Sequence, residues 1–505
     1  MNVKVLAIHL GTLRLGVLFQ YALNDDTVIN RFVADEDLAD RAGADAPTLS
    51  LSMRAATPEA QAELWRNIRS ISFNGRHSTA AGWMLPTFFQ NLLPEGVFRH
   101  HVAELRDCAP DDHFEMLAAC GKDLPGNVHA LPIELTREEL ARYVTQGQDA
   151  LEMSVTADPL EEGVSLSGVQ PKLGVIRDGE RYVGRTRDHD THIIAKLPVV
   201  GQPLLPEVEE LSLRLARAAG VDTCEAVLEP LERLGLQHGY ELGDATAQTN
   251  FLAVTRFDRS PAGRIHVEDF AQILGRAPED KYGRGSDGLR ISYLDIAAVL
   301  LAEPSMGEPA VHELLRRIVV NEMIGNADMH LKNIGVRYLD GVTPTLSPAY
   351  DVVAYAVFHR LRGHALHIVP PKFLPRRAAA SDDSEAPLLR QSMSPALLQV
   401  FCDRLKIPVK SADTAIARCV KAAFATWPAM IEASALTPQQ KGRLQVQFAA
   451  HPLVVSLTRR AERAAARAAE RAADTAPPGA LEGVEREVVP TLTRPAGART
   501  PGSPG

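Results

Sequence analysis

The sequence predicts an α+β chain in three parts. A mixed α/β segment comes first, a small sheet crossed by one helix follows, and a helical half comes last. Three observations predict this. Strand-like and helical runs are mixed in the first 150 residues. Short β-prone runs separated by turn residues fill residues 161–257. Beyond residue 258 the apolar residues fall at helical spacing.

The chain has 505 residues, 45% hydrophobic and 23% charged, an ordinary globular composition that divides into roughly two to four domains. Its formal net charge of −9 excludes a whole-surface nucleic-acid binder but not a local basic patch. The five cysteines, Cys108, Cys120, Cys224, Cys402 and Cys419, have neither zinc-finger nor CxxC spacing. Reduced, mostly buried thiols in a cytoplasmic protein are expected. The apolar N-terminus is interrupted by His9, Gly11, Arg14 and Gly16, so two strands joined at Gly11 are expected there rather than a leader peptide. No run approaches the roughly eighteen apolar residues of a membrane span.

The elements follow in order. Residues 83–93 and 113–119 are predicted helical, with a break at Asn91-Leu-Leu-Pro94-Glu95-Gly96, and the polar run 145–149 marks a boundary. Strands are predicted at 164–175, 182–184, 192–197, 227–231, 240–241 and 250–255, with a crossing helix over 206–219 ended by Gly220. Helices are then predicted at 267–273, 293–301, 311–325, 398–405, 414–432 and 439–448, and a short strand and turn at 346–351. Residues 457–474 form an Ala/Arg/Glu helix with Arg459, Arg463, Arg467 and Arg471 at four-residue steps on one face. From 476 the composition turns Pro/Gly/Thr-rich, which predicts disorder. The expected division is 1–150, 151–257, 258–456 and 457–505.

The chemistry concentrates in Asn321-Glu-Met-Ile-Gly-Asn-Ala-Asp328-Met-His330-Leu-Lys332-Asn333 and in Ser347-Pro-Ala-Tyr350-Asp351. Asp328 and Asn333 stand five residues apart, the spacing of base and metal-binding amide in a protein-kinase catalytic loop. Asp351 supplies a second acid. An acid for an acceptor hydroxyl, with an amide and an acid for Mg²⁺, suits phosphoryl transfer. Asp328, His330 and Lys332 are the catalytic candidates, Lys332 as a neutraliser of transferred charge. Asn333 and Asp351 are the metal ligands. Lys196 ends a β-prone run as an ATP-binding lysine would, and either Glu209 or Glu210 on the next helix is its partner. No GxGxxG precedes it. Its place is taken by Val164-Ser165-Leu-Ser167-Gly168-Val-Gln170-Pro-Lys172-Leu-Gly174, rich in small residues whose amides can approach phosphate. His364 and His367 are weighed as a metal pair against an ordinary surface or core placement.

These segments, in order, resemble the HipA family, the serine/threonine-kinase toxins of bacterial toxin–antitoxin pairs. The similarity is carried by Asn91-Leu-Leu-Pro-Glu95, Phe114 to Asp123, Ser165 to Lys172, Thr191 to Pro198, Arg256-Phe-Asp-Arg259, Glu268 to Gln272, Gly325 to Asn333 and Pro348 to Asp351. The resemblance implies a two-lobed protein-kinase-like fold with an N-terminal α/β subdomain. It implies ATP and Mg²⁺ as cofactors, with Asp328 as catalytic aspartate and Asn333 and Asp351 on Mg²⁺. Lys196, Ser165, Gly168 and Gln170 would lie toward the phosphates, Thr255 and Phe257 at the hinge facing adenine, and Gln272 and Tyr350 along the pocket. Ser165 matches the serine that such kinases autophosphorylate to switch themselves off, and Ser167 is a second hydroxyl in the same loop. A HipB-like helix-turn-helix antitoxin and a protein substrate such as an aminoacyl-tRNA synthetase are the implied partners, with DNA reached only through the antitoxin. The stretch 357–377 and the arginine-striped tail depart from the family pattern. Two other readings use the same residues: a kinase-fold phosphotransferase on a small molecule or lipid, and a catalytically lapsed co-repressor.

Overall fold

A computed structural model of the chain describes residues 2–24, 27–35, 37–42, 47–55, 57–66, 74–78, 84–143, 152–155, 166, 170–185, 189–236, 240–285, 288–359, 363–374 and 391–475. Those up to Val455 belong to one compact unit and those from Ser456 to a second. Strands β1 (Asn2–Leu10) and β2 (Leu13–Asn24) form the expected N-terminal hairpin. They join β3 (Thr27–Ala34), β4 (Asn74–Ser78), β5 (Val128–Pro132) and β6 (Glu152–Val155) in a sheet of order β4-β3-β2-β1-β5, with β6 parallel to β1. Alternation along these strands sends Leu6, Ile8, Leu18 and Phe32 to one face, where they pack with Phe88, Phe89 and Phe114. Leu166, alone among its immediate neighbours in the described residues, is buried in this same core.

The second sheet has five strands: β7 (Lys172–Asp178), β8 (Arg181–Val183), β9 (Ile193–Lys196), β10 (Ala226–Pro230) and β11 (Asn250–Thr255), in the order β10-β11-β9-β7-β8. Tyr182 and Phe251 meet edge-on in its core, 5.2 Å apart. The helix Leu205–Ala218 crosses it and ends before Gly220. Trp427, fully buried on the long helix Val409–Glu432, donates its indole N–H to the Leu215 carbonyl at 2.9 Å, which ties this crossing helix to the helical half.

That half contains a hairpin, β12 (Arg259–Ser260) and β13 (Gly263–Arg264), and a three-stranded sheet of β14 (His266–Asp269), β15 (Gly335–Tyr338) and β16 (Pro344–Leu346). Helices Tyr293–Ala302, Gly307–Ile324, Pro395–Leu405, Val409–Glu432 and Pro438–Ala449 appear where helical spacing placed them. Four segments differ. Residues 266–269 are a strand, with helix only at Phe270–Ile273, because their partner β15 lies some seventy positions downstream. Residues 240–241 are not strand, and only Thr87–Gln90 of 83–93 is helix among the described residues, starting after Pro86. Of 346–351, only Leu346 is in a strand. The five cysteines are free, four of them buried. Among the described residues no helix is long and apolar enough to cross a membrane. The final helix, Pro452–Thr475, carries the arginine stripe with Arg459, Arg463 and Arg467 exposed. Residues 476–505 lie outside the described residues.

Candidate active site

The site begins with a strand register. In the antiparallel pair β7–β9, Lys172 stands opposite Lys196, so both side chains rise from the same face of the sheet. Both are buried. The Lys196 ammonium meets Glu209 of the crossing helix and Asp351 of the helical half. Glu209 is therefore the helix partner that the sequence left open between two residues. Burial alone would lower the Lys196 ammonium's pKa, but Asp351 and Glu209 outweigh it and keep it charged. Burial lowers Lys172, opposed by Asp351. Asp351 has φ 52, a left-handed conformation that costs an aspartate on the order of 1 kcal/mol and clusters at functional sites. Burial would raise its carboxyl; Lys196 and Lys172 overcome this and hold it below the ordinary carboxylate range.

The catalytic-looking loop is fixed by its own amides. The helix Gly307–Ile324 ends at Gly325, φ 70, where an added Cβ would stand 2.7 Å from the Ala356 Cβ. Asn326 donates to Asn321 Oδ1 at 2.7 Å and accepts the Asp328 N–H at 2.9 Å. Asn333 Nδ2 donates to the Asp328 carbonyl at 2.8 Å, which turns its amide oxygen away from that carbonyl. The Tyr350 hydroxyl donates to the Lys332 carbonyl at 2.8 Å. The Asp328 carboxylate accepts the Tyr282 hydroxyl at 2.9 Å, and burial raises its pKa against the lowering effects of Tyr282 and Lys281.

One cavity joins these parts. Val254, Ile194, Val267, Val336 and Leu166 give it an apolar slot, closed by Phe257 and Tyr350, whose rings lie 5.4 Å apart. Lys172, Lys196, Asn333 and Asp351 line its charged end. Thr255 and Gln272 also line it. The Gln272 side chain closes a capping box with Asp269. An apolar slot beside paired ammonium groups fits a nucleotide, base in the slot and phosphates on the lysines. The oxygens of Asn333 and Asp351 fit Mg²⁺, a hard cation that prefers oxygen.

The remaining expectations fall in different places. Ser165, Ser167 and Gly168 lie outside the described residues. Gln170 does not line the cavity; its Nε2 donates to the Leu197 carbonyl at 3.3 Å. Lys332 lines the cavity, but its ammonium is held by the Asn91 carbonyl and Oδ1, both at 3.0 Å, by Asp269 at 3.3 Å and by Glu95 at 3.4 Å. Its expected role against transferred charge is thus corrected: it is a strut between the N-terminal subdomain and the catalytic loop. His330 is buried away from the cavity with its ring edge-on to Tyr282, and burial pushes its pKa down to about 3. Neutral at ordinary pH, it supplies no proton there. Of the two histidines weighed as a metal pair, His364 meets a carboxylate of the helix Gly307–Ile324. His364 and His451 each hold Glu322 at 2.7 Å, and among the described residues no group of three or more such ligands is placed to hold a metal.

Sequence reasoning assigned no role to Lys172, Asn91, Glu95, Asp269, Lys281 or Tyr282. The first four lie inside the segments that carry the family resemblance, which was the available signal. Lys281 and Tyr282 lie outside them.

The chain that follows β11 is held by buried ion pairs. Arg256 is buried and forks onto Asp258 at 2.8 and 2.9 Å, reaching Asp123 of the N-terminal subdomain at 3.1 Å. Arg259 meets the same two acids at 2.7 and 2.8 Å.

The model of the HipA-like C-terminal domain matches residues 164–427 and that of the HipA N-terminal domain residues 6–131. A Sinorhizobium fredii protein named "Putative kinase Y4dM" is 37% identical over 279 residues, 54% of this chain and 62% of that protein. A second from the same organism, "Putative kinase Y4mE", is 30% identical over 290 residues, 54% of this chain and 64% of that protein. The chain thus matches somewhat less than two thirds of the length of these relatives. Among solved structures, Shewanella oneidensis MR-1 HipA, in complex with HipB and its operator DNA, superposes with a TM-score of 0.56 at 20% identity, covering 89% of this chain and 96% of that one. That likeness shows the two-lobed α+β fold. The match of the C-terminal model to more than half of the chain, on the residues that build this cavity, shows that the chain belongs to the HipA family.

Proposed function

We propose that the protein is an ATP- and Mg²⁺-dependent serine/threonine-protein kinase and the toxin of a cytoplasmic toxin–antitoxin pair. The observation that carries this reading is the meeting of Lys196, Asn333 and Asp351 in one cavity whose catalytic loop holds Asp328. The names of the curated relatives favour a kinase. The HipB and operator DNA in the related structure favour a HipB-like helix-turn-helix antitoxin as partner, with DNA bound through it.

In this reading the acceptor hydroxyl gives its proton to Asp328 as its oxygen bonds to the γ-phosphorus, and the bond to the departing ADP oxygen breaks. Lys196 and Lys172 hold phosphate charge. Asn333 and Asp351 hold Mg²⁺, which neutralises the charge of the phosphates when bound. The hinge backbone at Thr255 and Phe257, with Gln272 and Tyr350, receives the base. Ser165 is the proposed autophosphorylation site. A phosphoserine adds a charge of about −1.5 to −2 to the loop that must accept ATP, which switches the enzyme off. The protein substrate is proposed, by family, to be an aminoacyl-tRNA synthetase.

Incubation of the purified protein with γ-labelled ATP and Mg²⁺, beside Asp328→Asn, followed by phosphosite mapping, tests this. Label on Ser165 in the unaltered protein alone is the expected result. Equal label in Asp328→Asn sinks the site assignment.

A further inference from the structure

The Asp328 carboxylate is already engaged. The Tyr282 hydroxyl donates to Asp328 Oδ1 at 2.9 Å, in the manner required of an acceptor hydroxyl at a catalytic base. The backbone that presents this phenol is fixed. The Leu331 N–H of the catalytic loop donates to the Lys281 carbonyl at 3.0 Å, and the Gly283 N–H to the Asp280 carbonyl at 2.8 Å. Gly283 has φ 75, and a Cβ there would stand 2.5 Å from the Ile291 carbonyl oxygen, so the turn that aims Tyr282 tolerates no side chain. The ring itself is less constrained. It touches His330 edge-on at 5.3 Å but is 40% exposed, so rotation about χ1 can carry it into solvent.

We propose that Tyr282 is a gate on the acceptor site: its hydroxyl holds the Asp328 oxygen that an incoming serine or threonine hydroxyl must take, and the acceptor engages only by displacing it. This rests on the kinase reading above and adds to it a residue that selects the acceptor. A segment that docks beside Lys281 can push the ring aside. Water alone has less binding energy for doing so, and futile ATP hydrolysis is held down. Burial and the Asp328 charge raise the pKa of the phenol, so it stays a neutral donor to Asp328.

The test is ADP release from Mg²⁺-ATP by the full chain with water as the only added acceptor, comparing unaltered protein, Tyr282→Phe and Asp328→Asn. Equal melting temperatures check folding. Loss of one charge-assisted hydrogen bond, roughly 1.4 kcal/mol, is worth about tenfold in rate. Tyr282→Phe is therefore expected to raise kcat by about tenfold at an unchanged KM for ATP, a gain that a structural lesion does not give. An unchanged or lowered kcat overturns the gate, and so does phosphotyrosine at position 282. Turnover lost in Asp328→Asn but equal in the other two refutes the gate and leaves the kinase reading standing. Absence of turnover in both the unaltered protein and Tyr282→Phe overturns the gate, and the kinase reading falls with it only if label transfer from γ-labelled ATP is absent too.

Discussion

Two buried clusters in this chain use the same inventory, two cations and two carboxylates, for opposite ends. Just after β11, Arg256 and Arg259 meet Asp123 and Asp258 with every side chain at most 9% exposed. At the head of the cavity, Lys196 meets Glu209 and Asp351, with Lys172 opposite it across the strand pair, but the Asp351 side chain is 28% exposed and its backbone is left-handed. The first cluster is sealed and made of planar forks, a geometry suited to fixing two subdomains in register. The second opens onto a cavity and is made of point charges that a ligand can re-pair. Composition alone does not separate architecture from chemistry here; access does.

The comparison can be broken most forcefully at its open end. Asp351→Asn or Asp328→Asn is expected to lower phosphoryl transfer by about 10²–10⁴-fold with little change in melting temperature. Activity retained, or unfolding instead of inactivation, would erase the distinction between the clusters. At the sealed end, Arg256→Gln leaves Asp123 and Asp258 short of a partner and is expected to cost about 3–5 kcal/mol in urea unfolding.

A further buried acid, outside both clusters, sharpens the contrast through pH. Glu268, at the seam with the N-terminal subdomain, accepts the Leu51 N–H and the Tyr338 hydroxyl, both at 2.6 Å. Burial outweighs these bonds and raises its pKa from 4.5 to about 7. The folded state therefore binds the proton more tightly than the unfolded chain. Its contribution to stability is full below about pH 4.5 and is lost as pH rises through 7, up to roughly 3 kcal/mol. Glu268→Gln, which keeps an acceptor and cannot ionise, should flatten this part of the stability–pH curve; an unchanged slope would refute it. The smallest effect is expected at His330. Already neutral, it should leave the pH–rate profile unshifted between about pH 5 and 8 when replaced by Gln, and a moved limb would return it to the chemistry.

What the sequence made legible was local. The ends of the helices at Gly220 and Gly325, the five-residue step from Asp328 to Asn333 and the strand ending in Lys196 are all decided within a few residues of themselves. What it hid was decided across the fold. Residues 267–269 read as the start of a helix because so short a stretch carries no period long enough to separate helix from strand, and the partner of strand 266–269 is Gly335–Tyr338. Lys172 was passed over because its role comes from standing opposite Lys196. Lys332 was misassigned because a lysine between two site residues invites a catalytic role, whereas Asn91, which claims its ammonium, is 241 positions away.

That last contact bears on how the molecule can be divided. Lys332 is almost wholly buried, and two of its hydrogen bonds come from a single residue of the N-terminal subdomain. A fragment beginning near residue 151 would contain every residue proposed for phosphoryl transfer and yet leave the buried Lys332 ammonium without that residue. On the proposed function the first 150 residues are no detachable appendage: a chain shortened or recombined at that boundary keeps these Lys332 contacts in its 328–333 loop only if Asn91 comes too.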